Sequence, residues 1–307
     1  MIRTPVALII FNRPDTTERV FQAIRQAQPQ KLLVIADGPR IDRPNEAEKC
    51  AASRAVIAKV DWECEVLTNY SPINLGCKLR VSSGIDWVFS EVEEAIILED
   101  DCLPAPSFFP FCQALLERYR YDERIMQISG NNFLQDRFNI KLKESYYFSK
   151  YGGIWGWASW RRAWKFFDVK MENWNELKMS DLLPSIFDSA AEQNSWTDVF
   201  DKVVAGVVDT WDYQWLYARW CQNHLSIVPK SNLVSNIGFR KDATHTKCKT
   251  SVSNLEVEDI WHITHPNSMI RNREADCYLF DTHYRSQPQP VTSAWLNKLK
   301  QGLLNHI

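Results

Sequence analysis

The sequence predicts an α/β protein built on a mostly parallel sheet covered by helices on both faces, and three observations predict it. Four short apolar runs alternate with three amphipathic helical stretches before residue 104. The runs are nearly continuous in Val, Ile, Leu and Ala, as strands buried on both faces are. Polar or charged residues follow at the carboxyl ends, where ligands bind in sheets of this kind.

Val6 to Phe11 reads as the first strand, ending in the turn Asn12-Arg13-Pro14. Asp15 or Thr16 can cap the helix that carries Val20, Phe21 and Ile24 on one face, and Pro29 closes it. Leu32 to Ala36 is a second strand, ending in Asp37-Gly38-Pro39, and a helix from Glu46 to Val60 follows. A third strand spans Cys64 to Thr68. The turn Asn74-Leu75-Gly76 then opens a helix with Val81, Ile85, Val88 and Phe89 on its buried side. The fourth strand, through Ala95-Ile96-Ile97-Leu98, runs straight into Glu99-Asp100-Asp101. Carboxylates crowded at the end of a buried strand repel one another unless a cation or donor groups stabilise them. A hard divalent ion, Mg²⁺ or Mn²⁺, carrying a phosphate is one such stabiliser, and a solvated acidic turn is the structural alternative.

Beyond Pro104 the sequence predicts a helix over Phe108 to Arg120 and a strand over Ile125 to Ser129. The segment Tyr151 to Trp160 is rich in Gly and Trp. It suits close approach to a ligand and stacking, or alternatively a Trp-rich helix start packed in the core, with Trp160 and Trp164 in that core. Residues 165–205 read as helical and loop-rich. Asp209 to Trp215 opens an apolar helix, Leu225 to Pro229 is a further strand, and a polar loop holds His245. The chain is less regular from about residue 250, until Val291 to Ile307 forms an amphipathic helix that packs on the domain or lies on a membrane surface. This divides the chain into a domain over 1–250, with halves 1–104 and 105–250, and an extension over 251–307.

At 307 residues, with 45% hydrophobic and 24% charged residues, the composition is that of a folded soluble protein. A net charge of −2 gives no reason to expect nucleic acid as partner. Eight scattered Cys without Cys-x-x-Cys spacing read as reduced thiols of a cytoplasmic protein, at most peripheral to the inner membrane. Thirteen Trp suit carbohydrate handling, though core packing accounts for most of them. No Gly-x-Gly-x-x-Gly follows the first strand and no Walker loop is present, which argues against dinucleotide dehydrogenases and P-loop enzymes.

The order and spacing of Ile10 to Pro14, Ile35 to Gly38, Leu98 to Phe109, Ile128 to Asn132, Gly153 to Trp157, Trp211 to Trp215 and Asp242 to His245 resemble the GT-A fold nucleotide-sugar glycosyltransferases. The nearest likeness is to the family of N-acetylglucosaminyltransferase I and related bacterial sugar transferases. The resemblance implies a Rossmann-like GT-A sheet, an NDP-sugar donor (a UDP-sugar first), a glycan or glycolipid acceptor, and Mn²⁺ or Mg²⁺. It implies nucleotide contacts from Asn12, Arg13, Asp37 and Asp100, and a metal ligand in Asp101. Glu99, Gly153, Trp155 and Trp157 would face the donor sugar and acceptor, and His245 the phosphates. Asp212 would be the general base, with Asp209 the alternative because Tyr213-Gln214 departs from the family's paired acids. Two other functions compete: a sugar-1-phosphate nucleotidyltransferase, which would carry a Gly-rich basic loop after the first strand, and a non-catalytic carbohydrate-binding protein.

Overall fold

The structure is a computed structural model and describes residues 1–134, 142–239 and 255–285. The predicted His245 and the helix over 291–307 lie outside the described residues.

Eight strands form one sheet: β1 Val6–Ile10, β2 Lys31–Ala36, β3 Glu65–Tyr70, β4 Glu94–Glu99, β6 Ile125–Ser129, β7 Tyr146–Ser149, β8 Trp157–Trp160 and β9 Leu225–Pro229. Their order is β3-β2-β1-β4-β8-β6-β9-β7. The pairs β3/β2, β2/β1, β1/β4 and β6/β9 are parallel, while β8 and β7 run against their neighbours. The sheet is therefore mostly parallel, as expected. Short β5, Cys102–Pro104, pairs antiparallel with β10, Val234–Asn236, and ties the segment after the acidic triplet to a loop more than a hundred residues later.

The helices are α1 Pro14–Ala27, α2 Glu46–Ala55, α3 Gly76–Glu91, α4 Phe108–Arg118, α5 Arg161–Trp164, α6 Trp174–Lys178, α7 Ala190–Val204, α8 Asp212–Cys221 and α9 Arg273–Leu279. Alternation along the strands decides which helices cover which face. Val6, Leu8 and Ile10 of β1, with Leu32 and Val34 of β2, pack under Val20, Phe21 and Ile24 of α1 and under the Phe108 to Leu116 face of α4. Ala7, Ile9, Leu33 and Ile35 face the other way, onto Val81, Ile85 and Val88 of α3 and onto Trp157, Trp164, Trp211 and Trp215. A third cluster, centred on Trp174, Trp196, Phe200 and Trp220, holds α6, α7, α8 and α9 together.

Several local expectations need correction. Neither Asp15 nor Thr16 caps α1. Arg13 occupies the cap position without a side-chain bond to the helix's own N–H groups, and Pro14 fills the first helical turn, where its missing N–H costs nothing. The helix predicted over Glu46 to Val60 ends at Ala55 and tightens into a 3₁₀ turn over Val56–Lys59. The Trp-rich segment is no helix start: Trp157–Trp160 is strand β8, and only from Arg161 does α5 begin.

Residues 255–285 pack on the main body rather than apart from it. Ile260 N–H donates to Ser107 Oγ at 2.8 Å, and Ser107 N–H to Asp259 Oδ1 at 2.8 Å. Ser149 Oγ donates to Asp276 in α9. Among the described residues no helix is long and apolar enough to cross a membrane.

Candidate active site

The carboxyl ends of β1, β2 and β4 open onto a cavity of about 670 Å³, whose walls include Arg13, Asp37, Glu99, Asp100, Asp101, Trp155 and Asp212. That is the edge where a doubly wound sheet places its ligand.

Arg13 organises the acidic triplet. Its Nη1 donates to Asp101 Oδ2 at 2.8 Å and its Nη2 to Asp100 Oδ1. Asp100 is 2% exposed, and its second oxygen accepts from Phe11 N–H at 3.1 Å. Both of its oxygens thus have protein donors, so Asp100 holds Arg13 in place. Asp101 keeps more exposure, and its carbonyl accepts from Ile237 N–H at 2.8 Å. The loop crosses there as glycine because a Cβ on Gly238 would stand 2.2 Å from Asp101 Oδ2.

Burial, then repulsion from Asp101 and Asp100, pushes Glu99 up to about 8. Burial also raises Asp100, Arg13 draws it back and Asp101 opposes that, leaving it at about 6. Burial lowers Arg13, but Asp100 and Asp101 more than reverse this, so the guanidinium is held firmly charged. Asp212 contributes to the rise of Glu99, which puts the two carboxylates within electrostatic reach of each other. Burial, together with Glu99, Asp212 and Asp209, pushes the Cys77 thiol on the same cavity well up, so it offers no thiolate nucleophile.

Asp212 is the first residue of α8 and accepts from Thr210 Oγ1. Asp209 lines the same cavity, so both candidate bases are brought to it.

The structure places the other expected residues as follows. Asn12 is off the cavity wall: its Nδ2 donates to Glu46 Oε1 at 2.9 Å. Asp37 lines the cavity, yet its carboxylate accepts from the N–H groups of Gly38, Leu75 and Gly76 and from Asn74 Nδ2, at 2.9 to 3.2 Å. It ties the end of β2 to the start of α3. Trp157 is 1% exposed and packs at 5.8 Å from Trp215, inside the core and away from the cavity. Gly153 lines a smaller hollow next door, and a Cβ there would meet Asn131 Oδ1 at 2.0 Å.

Arg40 was not apparent from the sequence. It reaches the cavity wall, stands 5.6 Å from the Phe11 ring centroid and is gripped by buried Glu46, which also accepts from Arg40 N–H at 2.7 Å. A buried Glu at a helix start is a signal only once its burial is known.

The carboxylates of the triplet are oxygen donors that suit a hard divalent ion, and Mg²⁺ is commonly held by one or two carboxylates with substrate phosphates supplying the rest. Among the described residues no group of three or more His, Cys, Asp or Glu forms a cage. Asp101 is the carboxylate that would take the protein's share of such an ion.

No protein-family model matches the chain, and no curated protein matches its sequence. Solved structures similar to it include the mannosyltransferase PcManGT from Pyrobaculum calidifontis in complex with GDP-Man and Mn²⁺, at 13% identity over 71% of this chain and 70% of that one, TM-score 0.39. S. aureus TarS 1-349 matches at 8% identity over 55% of this chain and half of its own, TM-score 0.37. The 4-diphosphocytidyl-2C-methyl-D-erythritol synthase of Anaerococcus prevotii matches at 9% identity over 65% of this chain and 84% of its own, TM-score 0.31.

Proposed function

We propose that the protein is an inverting, metal-dependent glycosyltransferase that moves a sugar, GlcNAc or another hexose, from an NDP-sugar to a hydroxyl of a glycan or glycolipid acceptor. A UDP-sugar is the donor we infer first. One observation carries this: Glu99-Asp100-Asp101 and Asp212, more than a hundred residues apart in sequence, line the same cavity. Acids at the sheet edge with a separate carboxylate on the same cavity supply the two halves that glycosyl transfer needs.

Asp101 would hold Mn²⁺ or Mg²⁺ beside the donor diphosphate, and that ion, when bound, neutralises the charge of the leaving group as a Lewis acid. Arg13 fixes Asp101 and adds positive charge to the same wall. Asp212, steadied by the Thr210 hydroxyl, takes the proton of the acceptor hydroxyl as its oxygen bonds to the anomeric carbon. The bond from that carbon to the diphosphate breaks on the opposite side, so the anomeric centre inverts. General-base help of this kind contributes ~10²–10⁴-fold. Trp155, half-buried between the cavity and its neighbour, offers an indole face to a sugar ring.

The test is nucleotide release. The purified protein is given UDP-sugars, Mn²⁺ or Mg²⁺ and a panel of glycan acceptors. The expected result is UDP release that falls by ~10² or more in Asp101→Ala and in Asp212→Asn. Turnover left intact by both substitutions overturns the assigned roles. Pyrophosphate release from a nucleoside triphosphate and a sugar 1-phosphate marks a nucleotidyltransferase instead.

A further inference from the structure

The sheet sets the order of groups along the cavity. β2 ends at Ala36, shortly before Arg40, and β1 beside it ends at Ile10, next to Phe11 and Arg13. β4 follows and ends at Glu99. On the other edge of β4, β8 pairs antiparallel with Ile97 opposite Trp157, so Trp155 comes in beside the end of β4. Neighbouring strands stand about 4.8 Å apart, so the end of β2 is roughly 10 Å from the end of β4. A donor with its diphosphate at Asp101 and its sugar toward Trp155 therefore carries its nucleoside over β1 and β2.

We propose that Arg40 reads the base of that nucleoside and selects uracil, thymine or guanine, which carry a carbonyl where cytosine and adenine carry an amino group. The proposal rests on the transferase function inferred above and adds the residue that chooses among nucleotide donors.

Arg40 is fixed before any ligand arrives. Glu46, 4% exposed and the first residue of α2, accepts from Arg40 N–H at 2.7 Å, from its Nε at 3.0 Å and from its Nη2. The same carboxylate takes Asn12 Nδ2 at 2.9 Å. A planar guanidinium held along one edge has a set orientation, so little entropy is lost when its other edge bonds. Nη1 takes no part in these bonds, and the Arg40 side chain is 39% exposed on the cavity wall beside Phe11. A guanidinium has donors and no acceptor. The carbonyl at C4 of uracil or C6 of guanine accepts from it, whereas the amino group of cytosine or adenine sets N–H against N–H.

Charge favours the base over the diphosphate as the partner of Arg40. Glu46 offsets the Arg40 charge at close range, so the pair presents hydrogen-bond donors with little net charge. Two further arginines on the cavity wall are already committed. Arg13 bonds Asp100 and Asp101, and Arg80, 5% exposed, bonds the Ala36 carbonyl and Asn69.

Calorimetric titration of the full chain with Mn²⁺ compares UDP, dTDP and GDP with CDP and ADP. The tightest of the five is expected to be UDP, dTDP or GDP. It should exceed its amino counterpart, CDP for the pyrimidines and ADP for guanine, about tenfold or more. Arg40→Gln combined with Glu46→Gln leaves no buried charge unpaired and puts an acceptor beside the donor, so that ratio should fall close to one. Arg40→Lys keeps the charge next to Glu46 but loses the planar fork, and should also lower the ratio. A wild type that binds CDP or ADP as tightly as its carbonyl counterpart overturns the role of Arg40. So does a ratio kept in both variants, including the case where all five nucleotides weaken together, as loss of a phosphate contact would make them. No binding of any of the five overturns the transferase function and the role of Arg40 with it.

Discussion

Arg13 Nη1 lies 2.8 Å from Asp101 Oδ2, so the carboxylate we propose as metal ligand is already held by a guanidinium that also grips Asp100. Removing one partner of a buried ion pair leaves the other charge uncompensated, at a cost of about 3–5 kcal/mol. Arg13→Ala is therefore expected to lower the urea midpoint markedly without ligand, and Mn²⁺ with UDP should restore part of the loss by mass action. Denaturation curves with and without Mn²⁺ and UDP check this, and a variant as stable as the wild type contradicts it.

Gly238 is the contact that keeps Asp101 in position from the other side. A methyl group there must displace the Asp101 carboxylate, since the two would stand 2.2 Å apart. Gly238→Ala is expected to weaken UDP binding in the presence of Mn²⁺ by about tenfold, through lost ligand geometry, with a smaller effect on stability. Calorimetric titration of the variant against wild type measures it.

Asp37 presents a different case. Its oxygens satisfy the buried Gly38 amide and partly buried amides at the start of α3, so Asp37→Ala leaves the buried donor unsatisfied at about 1–3 kcal/mol and weakens the others. Loss of thermal stability without any ligand is the expected outcome. An unchanged melting temperature with impaired nucleotide binding would instead favour the expected direct contact with the nucleotide.

Asp276, 1% exposed in α9, supplies a pH dependence remote from the cavity. Burial pushes it up to about 6, against donors from Ser149 and Lys150. The folded state therefore holds this proton more tightly than the unfolded chain does, and stability falls as pH rises from about 4 to about 6. Asp276→Asn lacks that proton, so its melting temperature should gain on the wild type across this window, by at most about 3 kcal/mol of differential stability. Melting curves from pH 4 to pH 7 decide it; a constant gap refutes the assignment.

The parallel half of the fold was legible in the sequence because strands buried on both faces write themselves as unbroken apolar runs, as Ala95 to Leu98 does. The antiparallel strand β8 was not, since all four of its residues are buried and two are Trp, which fits no period of two. The acidic triplet could be singled out from local chemistry and Asp212 only through the family resemblance, and all four line one cavity. The roles of Asp37 and Trp157 could not, because each depends on partners far along the chain: the amides of residues 75 and 76 for one, Trp215 for the other.

The most direct measurement is calorimetric titration of the protein with UDP, with Mn²⁺ and then with EDTA. Binding should require the divalent ion, disappear in Asp101→Ala and persist in Asp212→Asn, the residue we propose to act on the acceptor. UDP affinity indifferent to EDTA, or undiminished in Asp101→Ala, would contradict the assignment of the acidic triplet to a metal-held nucleotide diphosphate.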